Sequence, residues 1–269
     1  MFYTDGILVK STLLEADGVV HAFSTRLGGV STHPDTMSMN IAPGHGDSDE
    51  IVLQNTDILV REASGGAFTA ENAVVTSQIH SAKVRVLTRE NCGEGVVRRA
   101  GEFCDGFVTD GAGVVPIVRT ADCVPILFTA VKADRSPVVG AVHAGWRGTV
   151  SGIAAEAVRQ MVSLGAMIDS LKVAIGPHIG KCCFEVQRDF YDSVTEIRGA
   201  DFAKRYIADA DGLHADLTSM NIEILLEVGV KRENIDVSDE CTCCLNKKYH
   251  SHRKTHGKRG AMGSLIAIL

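Results

Sequence analysis

Two apolar runs that end on reactive side chains constrain this chain more than anything else in it. The first, Val124 to Ala130, is entered through Thr120-Ala121-Asp122-Cys123. The second, Val138 to Val142, stops on His143 and turns through Ala144-Gly145-Trp146-Arg147-Gly148. β-Branched apolar runs bounded by turn residues predict buried strands. Cys123 then sits just before one such strand and His143 at the end of the other. An earlier apolar segment, Ala73 to Ile79, ends on His80 in the same way. One thiol and two imidazoles at strand termini could form a metal site with one position open, as catalytic zinc sites have. The alternative at each histidine is a residue that only closes a hydrogen bond.

Other segments read as scaffold or as site walls. Gly6 to Lys10 and Val19 to Phe23 are short strands, and Ser24 to Gly29 is a turn whose paired glycines allow conformations closed to other residues. Arg26 in this turn carries a guanidinium fork suited to phosphate or carboxylate oxygens, or else braces the loop. Residues 33–47 are loop, and His33 and His45 in it have no partner that the sequence supplies. Asp47 with Glu50 three residues on signals a helix start, and Ile51, Val52, Asn55, Ile58 and Leu59 continue it. Residues 88–104 form a polar surface excursion, followed by a strand from Val114 to Val118. Asp105 and Asp122 are the carboxylates available near the triplet; Asp122 could orient a histidine or cap a turn.

The Gly145–Gly148 turn feeds a helix whose apolar stripe is Ile153, Ala154, Ala157, Val158 and Met161. Free backbone N–H groups and a positive dipole end make such a junction an anion site, and Arg147 adds a full charge. That geometry suits a phosphate cosubstrate. Trp146 could stack on a base or plug the turn. A strand from Leu171 to Ile175, a rigid turn over 176–180, helices at about 185–197 and 216–228, and a buried strand from Met262 to Ile268 complete the chain. Cys241, Cys243, Cys244, His250, His252 and His256 form the densest run of metal-ligand types, so a structural zinc site there is one reading. Against it stand the lack of paired CxxC elements and the adjacency of Cys243 and Cys244.

Composition removes several function classes. The 269 residues are 45% hydrophobic, with no linker, repeat or low-complexity segment, which favours a single domain over residues 1–269. A net charge of −6 argues against a non-specific nucleic-acid binder, which needs a basic face. The basic cluster from Lys247 to Arg259 is local and interleaved with histidines; it either attracts a small anionic substrate or is a solvated segment. No signal pattern or membrane-length apolar run is visible, and eight cysteines without a signal peptide read as reduced thiols, so a cytoplasmic protein is expected.

Eight segments in one order carry a resemblance: FSTRLGGVS (23–31), MNIAPGHGD (39–47), QIHSAKV (78–84), DGFVTD (105–110), TADCVPILF (120–128), AVHAGWRGTVSGI (141–153), AIGPHIGKCCFEV (174–186) and ECT (240–242). This series resembles the YfiH-like, laccase-domain polyphenol oxidase family, also described as purine nucleoside phosphorylases. The resemblance covers nearly the whole chain. It implies an α+β fold of mixed β-sheets layered between helices, related to that of cysteine hydrolases. The absence of a regular strand–helix repeat likewise argues against a doubly wound sheet.

The resemblance makes His80, Cys123 and His143 both metal ligands and catalytic residues. It makes Arg26, beside the active site, a substrate or phosphate contact, and matches Asn40 to the family's Leu-Asn element, although Met39 replaces the usual Leu. His178 stands where Cys or Ser is common. The single family Cys-Thr is matched by Cys241-Thr242, and histidines replace aromatics over His250-Ser251-His252. The implied function is zinc-dependent phosphorolysis of adenosine, inosine, guanosine or methylthioadenosine, with deamination of adenosine. Phosphate would be the cosubstrate, held by Arg26, Asn40 and Arg147, and copper is a possible metal. Partners would be small purine nucleosides, with no nucleic acid or membrane, acting on a monomer or small homo-oligomer. The alternatives are a copper polyphenol oxidase, for which no repeated His-x-His series is present, and a metal-free Cys–His hydrolase.

Overall fold

The two apolar runs form one antiparallel hairpin, Val124–Val131 with Pro137–Ala144, in which Pro125 lies opposite His143. The turn closes one end, so Cys123 and His143 emerge together at the other. Side chains alternate across the hairpin as strand geometry requires. Ile126, Phe128, Val138 and Val142 point into a core shared with helices. Leu127, Val139 and Ala141 point into a second core, and His143 continues that face.

The computed structural model describes residues 1–208 and 212–269. The hairpin is the middle of a six-stranded mixed sheet in the order Ile235–Val237, Lys172–Ile175, Val124–Val131, Pro137–Ala144, Gly106–Thr109, Val84–Val86. A second six-stranded sheet runs Phe2–Asp5, Leu8–Ser11, Val19–Ser24, Met262–Ile268, Val115–Thr120, Ala73–Val74. Phe23, Val118 and Ile266 of one sheet meet Phe107, Leu127 and Ala141 of the other in a common core. The outer face of the hairpin sheet is covered by helices Ile153–Ser163 and Leu217–Glu227, and that of the other sheet by helix Asp49–Ser64. The architecture is therefore α+β with layered mixed sheets. Among the described residues no helix is long and apolar enough to cross a membrane.

Pairing in the hairpin sheet decides where the site forms. Strands Val84–Val86 and Gly106–Thr109 begin at the end where Val124–Val131 begins, while Lys172–Ile175 and Ile235–Val237 finish there. Segments 75–83, 121–123, 143–148, 176–180 and 238–244 consequently gather at one sheet end.

Three local expectations are corrected. The strand expected over 73–79 stops at Val74, and residues 75–83 cross between the sheets instead. Gln78 replaces the missing ladder there: its side chain donates to the Arg119 carbonyl at 2.8 Å and accepts from the Arg119 N–H at 2.7 Å. The turn after His143 enters a five-residue helix, Trp146–Val150, before left-handed Gly152 restarts the chain as Ile153–Ser163. Ser48 rather than Asp47 caps the helix at 49, because Asp47 is drawn onto Ser31 and Asn40.

Two core histidines link stability to pH. His21 Nε2 accepts the Ser11 N–H at 3.0 Å, and His250 Nε2 faces the Met39 carbonyl at 2.9 Å. Burial first, and nearby cations second, hold both imidazoles down at about 4. Both are neutral in the fold, so the unfolded chain binds more protons once pH drops below the ordinary value of 6.5. Stability present above that value is lost as pH falls towards about 4, by up to about 3 kcal/mol per histidine. The urea-melt midpoint is expected to fall over this window, and His21→Gln, which keeps an acceptor without the titration, to flatten part of the fall.

Candidate metal centre

Asp105 precedes strand Gly106–Thr109, whose pairing with Pro137–Ala144 sets it beside His143. The His143 N–H donates to the Asp105 carbonyl at 2.7 Å, and His143 Nδ1 meets Asp105 Oδ1 at 2.9 Å. The fully buried carboxylate also accepts the backbone N–H groups of Ile79, His80 and Ser81 and the Ser81 hydroxyl, at 2.7–3.2 Å. These bonds hold His80 in a left-handed conformation, φ 59°, and aim its ring at the hairpin. Cys123 follows Asp122, itself at φ 87°.

The donor atoms of His80, Cys123 and His143 lie within 4.8 Å of one another. Cys123 Sγ is 3.9 Å from His80 Nε2, and the two rings meet edge to face with centroids 4.8 Å apart. Tetrahedral zinc, with bonds of about 2.0–2.3 Å to such donors, places them about 3.4–3.8 Å apart. A small closure of the side chains suffices. With Nδ1 of His143 committed to Asp105, its Nε2 is left for a metal, the carboxylate–histidine–metal arrangement. The donor set, soft sulfur with two imidazoles and an exposed side at His80, fits zinc or copper with a coordination position open.

The electrostatics agree with that chemistry. Burial raises the Asp105 carboxyl, but the bonds from His143 and Ser81 hold it at about 2. Burial depresses His143, yet the facing Cys123 charge and the Asp105 bond carry it up to about 9. Burial likewise opposes the Cys123 thiolate, and the charge and hydrogen bonds of His143, with those of His80, bring the thiol down to about 6. Thiolate is the form that binds a metal.

Two cavities open on the triplet. One, of about 310 Å³, is lined by His45, Gln78, Arg119 and Arg259 with the three donors. The other, of about 240 Å³, is mostly apolar, with Ala121, Trp146, Ile179, Phe184 and Leu217 beside His80 and Cys123. Arg259 borders both. Its buried Nε has no hydrogen-bond partner among the described residues. Burial and the Arg259 charge both depress Arg119, so the first cavity carries two cations close enough to repel.

The sequence-derived phosphate contacts are not brought together here. The Arg26 guanidinium donates to the carbonyls of Met37 and Asn246 at 2.9–3.0 Å, the loop-bracing role. Asn40 is fully buried and saturated, donating to Ala42 and Asp47 and accepting from Ala42 and Ala261. Arg147 is exposed, with its guanidinium 4.2 Å over the Trp146 ring. None of the three lines either cavity at the triplet. Asp122 does not orient a histidine; it accepts the Thr242 hydroxyl at 2.7 Å and the Arg253 N–H at 2.6 Å. His178 is buried between the Gly176 carbonyl and Thr218, at 2.7 and 2.6 Å. His250 is also buried, and among the described residues neither it, His252 nor His256 joins a metal-binding group.

Sequence reasoning missed Arg119, Arg259 and Gly145, and left the role of Asp105 open. Arg119 sits one residue before the Thr120–Cys123 run, and that adjacency to the triplet is the signal from which it could have been found. Gly145 is needed for space, since a Cβ there would lie 2.7 Å from His80 Cδ2 and 3.4 Å from Cys123 Sγ.

The chain matches the family model described as multi-copper polyphenol oxidoreductase laccase over residues 20–269. It belongs to that family. It is similar to purine nucleoside phosphorylase YlmD of Geobacillus stearothermophilus, 36% identical over 253 residues, covering 93% of this chain and 90% of that one. It is also similar to adenosine deaminase RL5 from an unknown prokaryotic organism, 32% identical over 87% of this chain and 88% of that one. The crystal structure of Bacillus licheniformis hypothetical protein YfiH superposes with a TM-score of 0.89 at 28% identity, covering 100% of this chain and 99% of that one. The laccase-family resemblance drawn from the eight segments, and the α+β fold it implies, are thereby shown.

Two substitutions test the geometry. Asp105→Asn removes the charge behind His143 and is expected to weaken zinc binding roughly 10–100-fold, read by competition with a chromogenic chelator. Gly145→Ala keeps a permitted backbone, φ −60°, yet pushes on His80. It is expected to leave the thermal melt within a few degrees of wild type while lowering zinc affinity by at least about tenfold.

Proposed function

We propose that this chain is a metal-dependent purine nucleoside enzyme. It splits adenosine, inosine, guanosine or methylthioadenosine with phosphate into base and (methylthio)ribose 1-phosphate, and it deaminates adenosine to inosine. The observation that carries the reading is a three-donor centre at the junction of an apolar cavity and an arginine-lined one. The names of the similar proteins, a purine nucleoside phosphorylase and an adenosine deaminase, support the same substrate class.

His80, Cys123 and His143 would hold the metal, zinc in preference to copper, with Asp105 fixing His143. When bound, such a metal supplies a Lewis acid and lowers the pKa of water at its open position towards neutrality. Trp146 and Phe184 line the space for a planar base, and Ile179 and Leu217 exclude water around it. Arg119 and Arg259 face the arginine-lined cavity, where the Arg259 Nε, without a partner among the described residues, is a ready donor to an oxyanion. In phosphorolysis a phosphate oxygen bonds to the sugar C1′ as the glycosidic C–N bond breaks, its electron pair leaving with the base, which takes up the proton that hydrogen phosphate gives up. The two guanidiniums hold the nucleophile against that carbon and stabilise its charge. Deamination uses the base cavity and the centre but not the arginine cradle.

A second reading follows from the Cys123 thiol, held at about 6 opposite His143: a metal-free nucleophile–base pair. Copper polyphenol oxidation finds less support. It uses several histidine-rich copper sites, whereas the potential metal groups among the described residues are this triplet and a group of four cysteines.

Purified protein is to be incubated with adenosine, with and without phosphate, and base, ribose 1-phosphate and inosine separated by chromatography. Phosphate-dependent adenine release is expected, abolished in folded Cys123→Ala and His143→Ala and restored by zinc after chelation. Arg259→Met is expected to raise the phosphate KM roughly 10–100-fold while sparing deamination. Activity that persists in the Cys123 and His143 variants would overturn the proposal, and activity unaffected by chelation would favour the nucleophile–base reading.

A further inference from the structure

A second group of sulfurs stands at the same sheet end, outside the centre just described. Cys182, Cys183, Cys241 and Cys244 place their four Sγ atoms within 4.8 Å of one another. The resolved pairs are 3.8 Å for Cys182–Cys183, 3.7 Å for Cys182–Cys244 and 3.4 Å for Cys183–Cys244. A tetrahedron with metal–sulfur bonds of about 2.3 Å has edges of about 3.8 Å. From these distances we propose that Cys182, Cys183, Cys241 and Cys244 bind a structural zinc ion, a site separate from the nucleoside-processing centre.

Local backbone geometry explains how two adjacent cysteines reach one tetrahedron. The chain turns at Gly180, whose carbonyl accepts the N–H groups of both Cys183 and Phe184 at 2.9 and 3.0 Å, and this turn swings successive side chains inward. Cys241 and Cys244 lie three residues apart in a single turn closed by the Leu245 N–H on the Cys241 carbonyl at 2.9 Å. That spacing puts both sulfurs on one side. Gly180 N–H donates to Cys241 Sγ at 3.2 Å, the kind of contact that orients a metal thiolate and offsets its charge. The adjacency of Cys243 and Cys244, which counted against a C-terminal site, is no obstacle, because Cys243 is buried outside the group. Among the described residues, the four sulfurs meet only weak S–H contacts and, at Cys241, the backbone N–H groups of Gly180, Cys243 and Cys244. A soft divalent ion fits them better than any side chain nearby.

The ion would clip together the two segments that wall the base cavity. The 176–185 turn and the 238–253 segment already meet through the Thr242 N–H on the His178 carbonyl at 3.0 Å and through the Arg253 guanidinium on the carbonyls of Cys183 and Glu185, at 3.0 and 2.8 Å. A covalent-strength cross-link there fixes Ile179 and Phe184 against the centre. Cys182 and Cys244 are exposed, which leaves a route for the metal to enter.

The test uses the full chain carrying His80→Ala and Cys123→Ala, so that its result is independent of the nucleoside reading. After equilibration at roughly nanomolar free zinc and removal of unbound ion, plasma mass spectrometry is expected to find about one zinc per chain. Adding Cys183→Ser, or Cys182→Ser at the exposed position, is expected to reduce the count at least tenfold, with circular dichroism confirming the fold. Cobalt in place of zinc is expected to give the sulfur-to-metal charge-transfer bands of a tetrahedral four-thiolate site. Chelation of the parent variant is expected to lower its melting temperature. Absence of retained metal in the folded parent, or an intact mass showing a disulfide between these cysteines instead, would overturn the proposal.

Discussion

One buried carboxylate organises the reactive end of this molecule. Asp105 takes three backbone N–H groups and a hydroxyl from the loop carrying His80, and on its other side the His143 imidazole. A charged group with no exposure is costly unless every lone pair is met, and here five donors meet it. The same bonds that neutralise the cost of burying it define where both imidazoles stand. His80 keeps a backbone conformation unusual for a residue with a Cβ because the carboxylate holds its N–H and those of its neighbours. Rigidity at the centre is therefore inherited from a strand register, Gly106 opposite Val142, rather than from the loop itself.

Asp122 performs the matching task on the opposite wall. Its carbonyl accepts the Ile179 N–H at 2.9 Å, and its carboxylate holds Thr242 and the Arg253 backbone. Two segments far apart in sequence, the 176–185 turn and the 238–253 segment, converge on the residue next to Cys123. The thiol is thus placed by a left-handed corner tied down from three directions, while the two imidazoles are placed by Asp105. The aspartates divide the scaffold of one centre between them, and the arginine-lined and apolar cavities lie to either side of it.

Much of this was legible in the residues. Apolar runs of strand length marked both strands of the hairpin, though not their pairing, and placed Cys123 and His143 at strand ends. The helix at 217–227 and the strand at 262–268 fall within a residue of their expected bounds. What was not legible depends on pairing between distant segments. Whether Asp105 or Asp122 serves His143 is decided by which strand lies beside Pro137–Ala144, a fact that local periodicity does not carry. The 75–79 segment looks like a strand because Val75 and Ile79 are apolar, yet Gln78 supplies a side-chain substitute for the ladder and lets the chain leave the sheet. Arg26 matched the composition of an anion contact but spends its donors on two carbonyls. Arg259 closes a basic cluster whose sequence left open whether it draws an anion or is a solvated segment, and in the fold it borders both cavities.

Strand Met262–Ile268 lies in the middle of its sheet, between Val19–Ser24 and Val115–Thr120, and the Gly263 N–H meets the Ser24 hydroxyl across 239 residues of sequence. Such pairing is late and slow to form, because a very long loop must close before any contact rewards it. During synthesis on the ribosome the first and middle strands emerge well before the one that joins them. Until then the nascent chain carries an open sheet edge and reduced thiols, a state in which a chaperone or an early metal ion would have the most to bind.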